Sequence, residues 1–188
     1  DRVAIALENS GDYMVAHFGV LLSGGVSVPV YQSLPAASFA RIAADCAPAV
    51  VVSRPAFYKG LLKSPEAANG ARHIIAGPVS DGEKAKGALS FQDCLSASPR
   101  QTDPARTEND LATIIYTSGT TGDPKGVMLS HNNLAANTSS IVSYLGLTSE
   151  DSVMVVLPFY YSYGNSIMLS HVMQGARMVA DNRFMYPN

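Results

Sequence analysis

Residues 116–131 read YTSGTTGDPKGVMLSH, and this stretch decides which fold to expect. The segment from Thr117 to Pro124 consists of small, hydroxylic, turn-forming or acidic residues. Apolar runs lie on either side of it, at Leu111–Ile115 and Val127–Leu129. Two apolar runs that enclose such a segment are typical of two strands joined by a loop.

The composition of this loop favours phosphate binding. Gly119 and Gly122 allow the backbone to adopt positive φ angles and to approach a ligand closely. Backbone N–H groups and hydroxyls then form a nest of donors that suits phosphate oxygens. Lys125 adds a mobile positive charge at the end of the loop. The hydroxyls come from Thr117, Ser118, Thr120 and Thr121.

Two other interpretations fit this loop less well. A flexible Gly/Ser/Thr linker would explain the composition, but not the flanking strands or the single lysine. A Walker loop requires a hydroxyl residue directly after its lysine. Here Gly126 and Val127 follow Lys125, so that motif is absent.

Three segments resemble a known family. Tyr116–His131 resembles the signature of the adenylate-forming superfamily, which comprises acyl-CoA synthetases, luciferases and the adenylation domains of peptide synthetases. Val3–Tyr31 resembles the family's early strand–helix–glycine–strand segment. Leu157–Gly164 (LPFYYSYG) resembles the motif that follows the phosphate loop. The resemblance covers most of the chain, is weakest over residues 60–110, and is greatest to the acyl-CoA synthetases.

The resemblance implies an activity for the intact protein. Such an enzyme couples ATP to a carboxylic acid, forms an acyl-adenylate and pyrophosphate, and then makes a thioester with coenzyme A. Lys125 would be the catalytic residue. Mg²⁺ is expected with ATP, but the sequence identifies no carboxylate ligand for it. The residues expected to bind ATP are Thr117, Ser118, Gly119, Thr120, Thr121, Gly122 and Lys125.

Two alternatives from other classes remain open at this point. One is a non-catalytic module that binds a nucleotide or phosphate and retains the fold. The other is a structural or interaction domain that does not use the loop. The intact loop with Lys125 argues against the interaction domain.

An aromatic run follows Pro158 and ends at Gly164. Aromatic residues more often serve core packing. This run, however, follows a predicted strand end, where ligands gather in open α/β sheets. We therefore expect it to form a wall of the acyl site, with Tyr161 and Gly164 as substrate residues. Many relatives have histidine at the position of Tyr161, and a phenol can donate a hydrogen bond but carries no positive charge.

The amino-acid composition excludes several classes of function. The chain has 188 residues, of which 47% are hydrophobic and 15% are charged, with a formal net charge of −2. This composition favours a buried sheet and offers no basic face for nucleic acid. Cys46 and Cys94 show no metal-ligand spacing, so we expect neither a disulfide nor a metal site. Reduced cysteines are typical of the cytoplasm, so we expect a cytoplasmic protein. Arg54, Lys59 and Lys63 form a modest basic strip, which we interpret as solvated.

Alternating strand-like and helix-like segments predict the fold class. We expect one α/β domain over 1–188, with a mostly parallel, doubly wound sheet and helices on both faces. In the first helix, Met14, Phe18 and Leu21-Leu22 fall at helical spacing, and His17 is expected to be packed.

Shorter signals predict where individual elements begin and end. Ser10 and Ser130 are expected to cap helices, and Gly175 is expected to end one. In the second helix, Phe39, Ile42 and Ala43 fall on one face. Residues 77–109 are rich in Gly, Pro, Ser and charged residues, so we expect loops there around one small helix near Phe91–Leu95.

The resemblance also identifies this domain within a longer chain. It would be the first subdomain of the large N-terminal domain, without the adenosine-binding subdomain and the C-terminal lid. The expected partners are a carboxylic acid and the remainder of its own chain. We expect no nucleic acid and no membrane span, and we expect self-association through apolar surface that the intact protein would bury.

Overall fold

The computed structural model describes residues 1–68, 70–97, 106–117 and 124–183, in which strands and helices alternate. The strands are β1 (Arg2–Ala6), β2 (Val26–Pro29), β3 (Val50–Ser53), β4 (Arg72–Ile75), β5 (Leu89–Ser90), β6 (Leu111–Thr117), β7 (Lys125–Ser130), β8 (Ser152–Val155) and β9 (Arg177–Ala180). The helices are α1 (Gly11–Leu22), α2 (Ala36–Cys46), α3 (Pro55–Leu61), α4 (Pro65–Ala68), α5 (Asp81–Lys84), α6 (Phe91–Ser96), α7 (His131–Leu145) and α8 (Ser162–Gln174).

The main sheet has seven strands in the order β5-β4-β3-β1-β2-β6-β7. All neighbouring pairs are parallel except β6 and β7, which form an antiparallel hairpin. The prediction of a mostly parallel sheet is therefore confirmed. The hairpin places Thr117 opposite Lys125 at the point where the two strands meet the loop.

Helices cover both faces of this sheet, as the sequence predicted. Successive residues of a strand point to opposite faces. In β1, Ala4 packs in the cluster that holds Phe39 of α2. Its neighbour Ile5 packs in a second cluster with Tyr13 of α1. Burying a large apolar side chain such as Phe39 or Ile5 contributes about 1.5–3 kcal/mol, so both clusters stabilise the sheet.

Helix α1 begins where the sequence predicted. The Ser10 side chain accepts a hydrogen bond from the backbone N–H of Tyr13, which is an N-cap. The buried residues of the helix are Tyr13, Ala16, His17 and Val20, so His17 is packed as expected. Met14 and Phe18, whose spacing predicted the helix, are half-buried and pack against the same cluster as Tyr13.

Two regions differ from the sequence-based expectation. Residues 77–109 were expected to be loops around one small helix, but Ser80 and Glu83 also form a capping box that starts α5. Strands β8 and β9 were expected to extend the main sheet, but they pair with each other in a separate parallel sheet. Across the part of the chain that the structure describes, no helix has the length and apolar character needed to span a bilayer.

Candidate active site

A cavity of about 360 Å³ lies beyond the C-terminal ends of β2 and β6. Three segments enclose it. The first is the end of β2 with α2, and the second is the aromatic loop before α8. The third is the part of the β6–β7 hairpin where the two strands meet their connecting loop, which we call the base of the hairpin. This is the edge at which open α/β sheets bind ligands. The described residues that line it are Pro29, Val30, Tyr31, Leu34, Ser38, Arg41, Ile42, Tyr116, Thr117, Pro124, Tyr160 and Tyr161.

The base of the hairpin brings two predicted site residues together. Thr117 and Lys125 are paired across the ends of β6 and β7, and the Thr117 hydroxyl lies 3.5 Å from the carbonyl oxygen of Lys125. The Lys125 side chain is exposed, and Pro124 beside it lines the cavity. The other predicted phosphate ligands, Ser118, Gly119, Thr120, Thr121 and Gly122, lie outside the described residues.

The opposite wall is built from tyrosine rings. The Tyr160 ring centroid lies 4.6 Å from that of Tyr161 and 5.5 Å from that of Tyr31. Burial, together with the neighbouring tyrosines, raises the pKa of Tyr160 to about 12. The Tyr160 phenol therefore stays neutral near pH 7 and can donate a hydrogen bond. Tyr161 is 54% exposed and lies at the N-cap of α8.

Gly164 lies in the first turn of α8 and is required there by a close backbone approach. A Cβ at this position would lie 2.1 Å from the carbonyl oxygen of Pro158. Real Cβ atoms essentially never come this close to another heavy atom, so the loop and the helix can pack in this way only around glycine. Gly164 is not among the described residues that line the cavity. The structure thus shows a packing role, and a role in substrate binding stays a prediction.

Sequence reasoning missed Asn9, which connects the aromatic loop to the main sheet. Its side-chain amide donates to the carbonyl of Leu157 at 2.9 Å and accepts from the N–H of Phe159 at 2.8 Å. Tyr13 adds a bond from its hydroxyl to the carbonyl of Phe159 at 3.2 Å. A polar residue shortly after the end of a central strand was the signal that could have identified Asn9.

The prediction that Arg54 belongs to a solvated basic strip was wrong. Its guanidinium donates to the carboxylates of Glu8 and Asp12 and to the carbonyl of Ala76. Burial alone would raise the pKa of Glu8, but the bonds and charge of Arg54 outweigh it, so the net shift is downward. Arg54 therefore joins the segments that follow β1, β3 and β4, close to the same edge of the sheet.

Within the described ranges, no group of three or more His, Cys, Asp or Glu side chains lies close enough together to hold a metal ion.

The fold is an open α/β sheet, and its cavity lies at the carboxyl edge, which is where proteins of this class bind ligands. A sequence profile described as AMP-binding enzyme matches residues 1–186. The chain therefore belongs to the AMP-binding enzyme family, as the sequence resemblance indicated.

The relatives by sequence include CoA ligases. The chain is 32% identical over 170 residues to the mitochondrial malonate–CoA ligase ACSF3 of Xenopus laevis, and the match covers 87% of this chain and 27% of that protein. It is 26% identical to a long-chain-fatty-acid–CoA ligase of Bacillus subtilis, with 91% and 35% covered. The chain thus spans about a third or less of these relatives.

Solved structures show the same fold. ATP-bound MatB from Rhodopseudomonas palustris matches with a TM-score of 0.83 and 32% identity, covering 98% of this chain and 36% of that one. A structure from the same species described as a putative long-chain-fatty-acid CoA ligase matches with a TM-score of 0.85 and 27% identity, with 98% and 45% covered.

Proposed function

We propose that the protein containing this chain activates a carboxylic acid with ATP and then transfers the acyl group to coenzyme A. The observation that supports this proposal is the cavity, in which the base of the phosphate-loop hairpin faces the tyrosine wall. Membership of the AMP-binding family and the names of the CoA-ligase relatives support the same reaction.

The first step is an in-line displacement. A carboxylate oxygen of the acid bonds to the α-phosphorus of ATP while the bond from that phosphorus to pyrophosphate breaks. The Lys125 ammonium and the loop donors bind the β- and γ-phosphates and offset the charge that develops on the leaving pyrophosphate. Catalysis then consists mainly of positioning and electrostatic stabilisation. In the second step the thiol sulfur of coenzyme A attacks the acyl carbon and AMP leaves.

The tyrosine wall would position the acid. Tyr161 reaches the cavity from the start of α8, where an exposed phenol can donate to a carboxylate oxygen. Gly164 would act by fixing how α8 begins against Pro158. Mg²⁺ would enter with ATP, and no step of this mechanism depends on a metal ligand from the described residues.

The remaining features of the protein are part of this proposal. Residues 1–188 would form one α/β domain that lacks the adenosine-binding subdomain and the lid and is inactive by itself. We propose a cytoplasmic location, although relatives named as mitochondrial exist. Exposed apolar residues of α8 and β9, such as Met173 and Val179, would promote self-association of this domain.

Carboxylate-dependent exchange of pyrophosphate into ATP tests the activity in the full-length protein. Malonate and a long-chain fatty acid are the first acids to try, because the relatives' names include both. Thioester formation with coenzyme A is measured in parallel. Lys125→Ala should lower kcat/KM for ATP by about 10- to 100-fold, as expected for a lost charge-assisted contact.

Lys84→Ala is the matched control, because Lys84 is exposed on α5 beside the opposite edge of the main sheet. A Lys125→Ala variant within twofold of the wild type would remove Lys125 from the site. Binding of ATP without exchange for any acid would instead support the non-catalytic nucleotide-binding module.

A further inference from the structure

A polar contact joins helix α2 to the strand that leads into the phosphate loop. The Tyr116 hydroxyl donates to the Asp45 carboxylate. Tyr116 lies near the end of β6, one residue before Thr117, and Asp45 lies in the last turn of α2. Burial is the main cause of a raised pKa for Tyr116, and the bond to Asp45 raises this pKa further. The phenol therefore stays protonated and remains a donor.

Asp45 occupies a position that is unfavourable for the helix itself. The C-terminus of a helix carries partial negative charge, which disfavours an acidic residue in its last turn. The next residue but one, Ala47, has φ of 42° in the left-handed region, where glycine is preferred. The Arg2 guanidinium donates to the carbonyls of Cys46 and Ala47 at 2.7 and 3.1 Å. Local costs of this kind persist where another contact compensates for them, and Tyr116 provides that contact.

The Tyr116 ring in turn covers the backbone next to Lys125. Tyr116 is paired with Gly126 across the hairpin. A Cβ added at Gly126 would lie 2.7 Å from Cγ2 of Ile114 and 3.2 Å from Cζ of the Tyr116 ring, so the ring covers this glycine together with Ile114. Strand β7 forms the edge of the main sheet, and an aromatic ring over a glycine on an edge strand restrains that strand.

We infer that Asp45 and Tyr116 are positioning residues, which hold the Lys125 end of the phosphate-loop hairpin in place for the triphosphate. Asp45 orients the ring, the ring restrains Gly126, and Gly126 fixes the backbone from which Lys125 extends. The inference rests on the proposed function, because it concerns how well the hairpin binds ATP. Neither the sequence motif nor the family match assigns a role to Asp45.

Steady-state kinetics of the full-length protein test the pair. Asp45→Ala and Tyr116→Phe should each raise KM for ATP by about fivefold, the effect of one hydrogen bond, with KM for the acid within twofold. Asp45→Asn should restore most of the loss, because its amide oxygen can still accept the bond. The double variant should be no worse than Tyr116→Phe alone. Tyr144→Phe is the control, because Tyr144 is 77% exposed on α7.

A second readout separates positioning from stability. Asp45→Ala removes an acid from a helix C-terminus, so the melting temperature should stay the same or rise while KM for ATP worsens. Amide exchange at Tyr116, Thr117, Lys125 and Gly126 should become faster in both Asp45→Ala and Tyr116→Phe.

Three results would decide against the pair. Variants that keep KM for ATP within twofold would overturn the inference, even if amide exchange increased. A fall in melting temperature and in kcat, with KM for ATP unchanged, would make the contact structural and would also overturn it. A wild-type protein without exchange activity or ATP binding would defeat the proposed function, and this inference with it.

Discussion

Strands β1 to β3 and strands β8 and β9 are built from similar apolar residues, but their burial differs. Val52 in β3 is 4% exposed, whereas Met154 in β8 and Val179 in β9 are 59% and 50% exposed. The inner strands of the main sheet have helices on both faces, which is the usual setting of parallel strands. In the two-stranded sheet, Val155 joins a buried cluster and its neighbour Met154 does not. Apolar composition therefore predicts strands in both regions but does not predict how deeply each is buried.

The candidate site lies where these two regions meet. The main sheet supplies Tyr31 and the hairpin base, and the segment between β8 and α8 supplies Tyr160 and Tyr161. Asn9 and Gly164 hold that segment in place. The comparison can be tested by substitutions at the junction, in the main sheet and in the small sheet.

The largest effect is expected for Gly164→Ala at the junction. The new methyl group would overlap the Pro158 carbonyl, so the aromatic loop and α8 must separate. We expect a loss of about 4 kcal/mol in the free energy of unfolding, at the upper end for single substitutions. Urea unfolding measures it. Gly19→Ala is the control: a Cβ there meets nothing within 4 Å in the middle of α1, and the change should stabilise by about 0.5–1 kcal/mol. Equal effects of the two variants would contradict the close approach.

Asn9→Ala should come next, at about 3 kcal/mol. Its removal leaves the Leu157 carbonyl and the Phe159 N–H without their side-chain partner, and each unsatisfied buried group costs about 1–3 kcal/mol. Asn9→Asp should cost at least as much as Asn9→Ala, because a buried carboxylate would face the Leu157 carbonyl with no donor between the two oxygens. Asn132→Ala, at an exposed site on α7, should change stability by less than about 0.5 kcal/mol. A loss at Asn9 as small as that at Asn132 would mean that the two regions are not joined in this way.

The pH dependence of stability tests burial in the main sheet. His17 is fully buried, and burial lowers its pKa from 6.5 to about 4. Below pH 6.5 the unfolded chain therefore binds a proton that the folded chain resists, and stability is lost as the pH falls towards 4. Linkage gives a loss of about 2 kcal/mol between pH 7 and pH 5. His17→Gln should remove this part of the slope, whereas His131→Gln should retain it. A wild-type slope that His17→Gln leaves unchanged would assign the pH dependence to other groups.

The smallest effect is expected in the two-stranded sheet. Val179→Thr should alter the unfolding free energy of the 188-residue chain by less than about 0.5 kcal/mol, because the side chain is half exposed. The same change at Val52 buries a hydroxyl and should cost about 1–3 kcal/mol. Sedimentation should also show less self-association for Val179→Thr. If the two substitutions proved equally costly, the difference in burial between the two sheets would be refuted.

Local signals in the sequence predicted much of this fold. Ser10 and Ser130 cap helices α1 and α7, and Gly175 ends α8 in the left-handed conformation, as expected. The face of α2 that contains Phe39 and Ile42 was also predicted correctly. These features depend on residues within a few positions of each other, so a linear pattern records them.

The features that were missed depend on distant contacts. Asn9 bonds a carbonyl 148 positions further along the chain, and Arg54 reaches back to Glu8 across 46 positions. Of the predicted site, Thr117 and Tyr161 do line one cavity, because both follow or flank strand ends. The contact of Asp45 with Tyr116 could not be predicted, since it depends on how α2 lies against β6.

The pairing of Ser27 in β2 with Thr113 in β6 joins two parts of the main sheet that lie far apart in the sequence. The Thr113 hydroxyl bonds the Ser27 carbonyl across 86 positions, whereas β1, β2 and β3 are close in sequence. Closing the long connection from β2 to β6 costs about 1 kcal/mol more free energy than closing the β1–β2 connection, because more chain entropy is lost. We therefore expect β1 to β3 to assemble before β6 docks. Thr113→Val should then accelerate unfolding and leave the refolding rate nearly unchanged, which stopped-flow measurements can determine.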